Sequence, residues 1–128
     1  MRDYSIREFS DFTCETLESL KYEIVLTNPT SEGKYPCIEM HTPLKNVIKT
    51  QNAFPLLSRF QISLTCWNSK QREAMKMSQE IETVLQKINL IKTSSSQSQY
   101  DSVLQKYGIT SFFEVNYNGI TDAFEIIK

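Results

Sequence analysis

Arg59-Phe60-Gln61-Ile62-Ser63-Leu64-Thr65-Cys66-Trp67 decides the fold. Phe60, Ile62, Leu64 and Cys66 alternate with Gln61, Ser63 and Thr65, the period of two that marks a half-buried strand. Beyond Asn68 and Ser69 the period changes, and Ala74, Met77, Ile81, Val84, Leu85 and Ile88 recur at helical spacing. A one-sided strand and a one-sided helix joined by so short a link must fold back on each other to hide their apolar sides. Asn68 is expected to cap the helix, with Gln71 as its capping-box partner.

Toward the N-terminus, Ser5-Ile6-Arg7-Glu8 reads as a capping box that opens a first helix from about Ile6 to Leu20. Tyr22 to Leu26 reads as a short strand, stopped by the turn-forming run Thr27 to Gly33. Tyr35 to Thr42 alternates again, Ile38 and Met40 against Cys37, Glu39 and His41. These two segments are expected to pair antiparallel across a long turn. Pro43 to Pro55 reads as a loop, either a flap packed down by Val47 and Phe54 or an interaction arm.

Toward the C-terminus, Asn89 ends the second helix. Lys92 to Gln99 is polar and low in complexity, so it is expected to be mobile. Gly108 reads as a turn and Ile109 to Tyr117 as a strand. Asn118-Gly119 is a tight-turn signal, and Ala123 to Ile127 returns as a short last strand. The expected fold is α+β. A single, mostly antiparallel mixed sheet of four to five strands carries two helices on one face, in the order α-β-β-β-α-β(-β).

At 128 residues the chain is one domain by length, residues 1–128, with 40% hydrophobic and 23% charged residues. A net charge of −1 gives no long-range attraction to nucleic acid or anionic lipid. No apolar run approaches the ~20 residues needed to span a bilayer. No apolar signal core follows Met1-Arg2-Asp3-Tyr4-Ser5, so synthesis in the cytoplasm is expected.

Catalytic patterns are missing. Gly33, Gly108 and Gly119 form no phosphate-binding loop. Cys14, Cys37, Cys66 and the single His41 match no zinc spacing, so buried free thiols, no metal and no cofactor are expected. Cys37 and His41 share one side of a strand but lie ~13 Å apart by strand rise, beyond direct proton transfer. Glu80 and Glu82 point in different directions and read as a solvated helix face. Trp67 breaks the alternation and falls on the polar side with Gln61, Ser63 and Thr65. It is either an interface group or a cover for the helix start.

The string from Phe60 to Met75, with its strand ending in Trp67-Asn68 and a helix opening at Lys70 before Glu73-Ala74, resembles tail terminator and tail completion proteins of long-tailed bacteriophages. Phe113 to Phe124 is similar to the family's last strand and turn, and the likeness covers roughly Tyr35 to Ile127. The resemblance implies a structural virion protein of the tail or neck. It would form a homo-oligomeric ring, usually a hexamer, that caps the tail tube, ends its polymerisation and joins the head connector. The implied partners are copies of the chain, the tail tube protein and a head-connector protein, with DNA only as passing cargo. The family supplies no catalytic residues.

Within this reading the expected interface residues are Gln61, Ser63, Thr65 and Trp67 on the sheet, Lys45 and Lys49 in the Pro43–Pro55 segment, and Ser94, Ser95 and Ser96 in the polar loop. A neck or head-completion protein is the alternative of the same kind. A monomeric α+β module binding a peptide or ligand near Trp67 and His41 is the alternative of another kind. A small enzyme is disfavoured, since no constellation of residues survives the spacing argument.

Overall fold

A computed structural model describes residues 2–127. The chain runs α1 (Ile6–Leu17), a 3₁₀ turn (Glu18–Leu20), β1 (Glu23–Val25), β2 (Cys37–Met40), β3 (Leu44–Gln51), β4 (Phe54–Asn68), α2 (Gln71–Gln86), β5 (Ile91–Ser95), β6 (Gln99–Asp101), β7 (Lys106–Asn118) and β8 (Ala123–Glu125). The class is α+β: two helices lie on one face of an eight-stranded, mostly antiparallel mixed sheet. That is more strands than the four to five expected, because three short segments add to the edges of two long strands.

β4 and β7 form the spine, antiparallel from Leu57 opposite Asn118 to Asn68 opposite Tyr107. Each long strand carries a column of short ones. β2 and β3 follow one another along the outer side of β4, while β6, β5 and β8 line the outer side of β7. The alternation read from the sequence sets the two faces. Phe60, Ile62, Leu64 and Cys66 of β4 join Phe113, Val115 and Tyr117 of β7 on the helix side, all buried. The α2 stripe of Ala74, Met77, Ile81, Val84 and Leu85 covers them. From α1, Phe9 stacks on Phe60 with ring centroids 4.6 Å apart. The Ser5–Glu8 capping box is present in full and fixes where α1 begins.

Several expectations are corrected. β1 pairs with β2 in parallel, not antiparallel, because the chain between Leu26 and Pro36 returns to the same end of the sheet. Pro43–Pro55 is not a loop. It is β3, which pairs with the first half of β4 across a two-residue turn at Asn52 and Ala53. Both turn residues have positive φ (51° and 64°), the type I′ geometry that matches strand twist. Gly108 lies inside β7, not at a turn. Lys92–Gln99, expected to be mobile, contains all of β5 but Ile91 and ends on the first residue of β6, both held by the β7 ladder. Asn68 does not cap α2. Lys70 occupies the N-cap position with no side-chain bond, and Asn68 Oδ1 accepts only from the Lys70 N–H at 3.4 Å. Asn89 does end the helical region, with φ 69°.

Candidate functional site

The side of the sheet away from the helices has a covered end and an open middle. At the covered end, β2 places Cys37 and Glu39 beside Trp67 and Thr65 of β4. Cys37 and Glu39 are buried although no helix lies over them. Asn28, Pro29, Asp101 and Leu104 border a cavity of about 280 Å³ next to Trp67 and Glu39. Trp67 lies on this outer side of the sheet. Its Nε1–H donates to Glu39 Oε1 at 3.0 Å, and its ring lies across Gly108, where no Cβ intervenes. It does not cover the helix start. Glu39 Oε2 lies 3.7 Å from His41 Nδ1, and His41 Nε2 bonds Thr65 Oγ1 at 3.1 Å. Trp67 and His41 therefore share Glu39 but open onto different depressions.

The thiols are equally committed. Burial pushes Cys37 and Cys66 up to about 11, so both stay protonated at neutral pH. Cys66 Sγ also donates to the backbone carbonyl of Ala74 at 3.3 Å. Cys14, half-buried on α1, is likewise raised by burial. Among the described residues no group of three or more His, Cys, Asp or Glu side chains is placed to hold a metal ion. No helix among them is long and apolar enough to cross a membrane.

Along this side of the sheet, from the covered end into the open middle, directly opposed residues of β4 and β7 bond across the strands. Thr65 and Thr110 share a hydroxyl bond of 2.8 Å, Gln61 Nε2 donates to Glu114 Oε1 at 2.5 Å, and Arg59 Nε donates to Asn116 Oδ1 at 3.2 Å. Each such pair contributes roughly 0.2–1 kcal/mol and pins the register. Between them Leu44 and Phe112 stand out of the sheet, 61% and 46% exposed. With Gln61, Ser63, Ser94 and Glu114 they line a depression of about 330 Å³.

The β4–β7 ladder runs to Leu57 and Asn118, the Gly119 N–H donates to the Leu56 carbonyl at 2.8 Å, and only the hairpin tip around Thr50 to Pro55 is two-stranded. Asn46 to Ala53 is exposed without a break. Val47 and Ile48 are 46% and 44% exposed at a bulge in β3, and Lys49 follows them.

The structure thus gathers Gln61, Ser63 and Ser94 into one depression and places Lys49 on the exposed edge strand β3. Thr65 is buried in the ladder. Lys45 is not free, because it bonds Asp3 and the carbonyl of Tyr4. Ser95 and Ser96 line a separate depression against α2. Leu44, Val47, Ile48, Phe112 and Glu114 were missed. A signal for one of them was present: Phe112 and Phe113 are adjacent in a strand, so one must face outward. The sequence matches no protein-family model and no curated protein.

Proposed function

We propose that this chain is a structural virion protein that assembles with copies of itself into a ring, capping a phage tail tube and joining it to the head connector. The observation that carries the reading is the pairing of an open, partly apolar sheet face with the exposed edge strand β3, both outside the core. Exposed apolar groups on an edge strand and in a shallow depression mark surfaces for other proteins. The groups able to do chemistry are engaged elsewhere: the buried thiols are protonated, and Glu39 and His41 bond within the sheet. The sequence likeness over Tyr35 to Ile127 points the same way. Near-neutral net charge suits a channel wall that lets DNA pass without gripping it.

Native mass spectrometry of the purified protein, alone and with tail tube protein, tests the reading. A closed homo-oligomer that binds tube ends supports it. A strict monomer in both samples overturns it. Binding to connector protein with none to tube protein assigns the chain to the neck instead.

A further inference from the structure

We propose that the cavity beside Trp67 binds an organic cation on a short apolar stem, an alkylammonium group in its simplest form. The site lies at the covered end of the outer sheet face and does not depend on the ring. Two connections reach over that end. Asn28 and Pro29 belong to the one after β1, Val103 and Leu104 to the one after β6. The cavity between them, about 280 Å³, is near the lower size limit of ligand pockets, and the sheet contributes Trp67 and Glu39 to it. Loops held over a rigid sheet are a common setting for binding sites.

Glu39 calls for a cation. It is the one charged side chain among the buried residues described, 8% exposed. Its carboxylate accepts a hydrogen bond from a neutral donor, the Trp67 indole N–H at 3.0 Å. His41 Nδ1 stands 3.7 Å from the second oxygen, beyond hydrogen-bond distance. Lys106, paired with Asp101 across β6 and β7, holds its ammonium over the Tyr35 ring instead, 4.8 Å from the centroid. A buried carboxylate is normally matched by a cation, because a desolvated charge left alone is costly.

The other walls suit the same occupant. A Cβ on Gly108 would lie 2.6, 2.8 and 2.9 Å from three successive atoms of the Trp67 benzo ring, so Gly108 underlies one face of the indole. The opposite face is left for the cavity, and an indole face attracts a cation within about 6 Å of its centroid. Asp101 brings a second carboxylate, fixed by the Val103 and Leu104 N–H groups, which both donate to its Oδ1 at 2.9 Å. Pro29 and Leu104 offer apolar surface to an aliphatic stem. An anion would be repelled by both carboxylates. A bare metal ion would find too few ligands, because no group of three His, Cys, Asp or Glu side chains is gathered among the described residues.

Trp67 is the only tryptophan, so its emission reads the site. The full chain is titrated with n-butylammonium chloride, with n-butanol and sodium chloride as controls. The amine should change the emission saturably, with a dissociation constant in the millimolar range expected of so small a probe, and the controls should not. Glu39→Gln keeps an acceptor for the indole N–H, and Asp101→Asn keeps one for the turn. Each should weaken binding about tenfold while circular dichroism shows a folded chain. Should Glu39→Gln fail to fold, Asp101→Asn alone decides. No saturable response to the amine, an equal response to n-butanol, or undiminished binding in the folded variants overturns the inference. Nα-acetyl-lysine amide separates two sources of the cation. Binding as tight as that of n-butylammonium identifies a lysine side chain of another protein, and binding of the free amine alone identifies a small-molecule amine; both uphold the site.

Discussion

A methyl group at Gly108 would strike the indole of Trp67. Gly108 lies directly opposite Trp67 across the β4–β7 pair, and a Cβ there would fall 2.6 Å from Cζ3, 2.8 Å from Cη2 and 2.9 Å from Cε3. Three such contacts against a rigid bicyclic ring are not relieved by a small rotation, so in Gly108→Ala the ring must lift. Lifting it breaks the 3.0 Å bond to Glu39, a carboxylate only 8% exposed. Overpacking of this kind costs about 1–3 kcal/mol, and loss of a hydrogen bond to a charged group adds about 1.5–3 kcal/mol. Replacing glycine within a strand returns roughly 0.5–1 kcal/mol. The net loss is about 3 kcal/mol, which lowers the melting midpoint of a domain this size by roughly 10 °C. Trp67 is the only tryptophan, so emission reports this ring alone. Gly108→Ala should melt lower by that amount and show red-shifted emission while still folded. Combined with Trp67→Leu, it should cost less than the sum of the two single changes. A variant that melts with the parent and keeps its emission maximum would show that the indole does not lie over Gly108.

Ile81 is 2% exposed on the core side of α2, so Ile81→Asp places an unpaired carboxylate in the core, costs on the order of 5 kcal/mol and unfolds the domain. Gln79→Asp on the exposed side should shift the melting midpoint by less than ~2 °C; circular dichroism checks both. Ala53 sits at φ 64° in the β3–β4 turn, where an L side chain is strained by roughly 1 kcal/mol, so Ala53→Gly should raise the midpoint by about 3–4 °C. Stability should also fall at high pH. Burial raises Cys37 and Cys66 to about 11, and burial with the Glu80 bond raises Tyr22 to about 12, all above their unfolded values. Protonated groups of this kind contribute stability that is whole below the unfolded pKa and lost as pH rises through the folded one. The midpoint should therefore decline between about pH 9 and about pH 12, and a level profile across that window would refute the burial.

The elements legible in the sequence are those with one buried face. β4, β7 and α2 each repeat apolar residues at their own period, and α1 announces its start through Ser5 and Glu8. β3 was not legible because Asn46 to Gln51 is exposed on both faces and leaves no alternation to read. Its turn, Asn52-Ala53, also lacks the glycine that usually marks this geometry. β5 is a strand only because β7 offers it a ladder, and its own Thr and Ser residues encode nothing of the kind. The parallel direction of β1 depends on where the connection after Leu26 returns, which no local pattern specifies. For the outer face, the polar residues of β4 were readable, but their partners were not. Leu44 and Phe112 acquire meaning only once register sets them beside Gln61 and Glu114.

The spine of the sheet has a consequence for the order in which the molecule is made. Its two long strands enclose α2, β5 and β6 between them in the chain, and their nearest rung joins Asn68 to Tyr107. That span must be closed before any rung contributes, so this step is slow and late. The β3–β4 hairpin needs only its own two-residue turn and zips within about 1–10 µs. A chain emerging from the ribosome thus displays a finished hairpin while Phe60, Ile62 and Leu64 still wait for β7 to be synthesised. At roughly 5–20 residues per second the exposure lasts seconds. Slower growth at low temperature, or a holding chaperone, should raise the soluble yield of this protein more than that of a helical bundle of equal length.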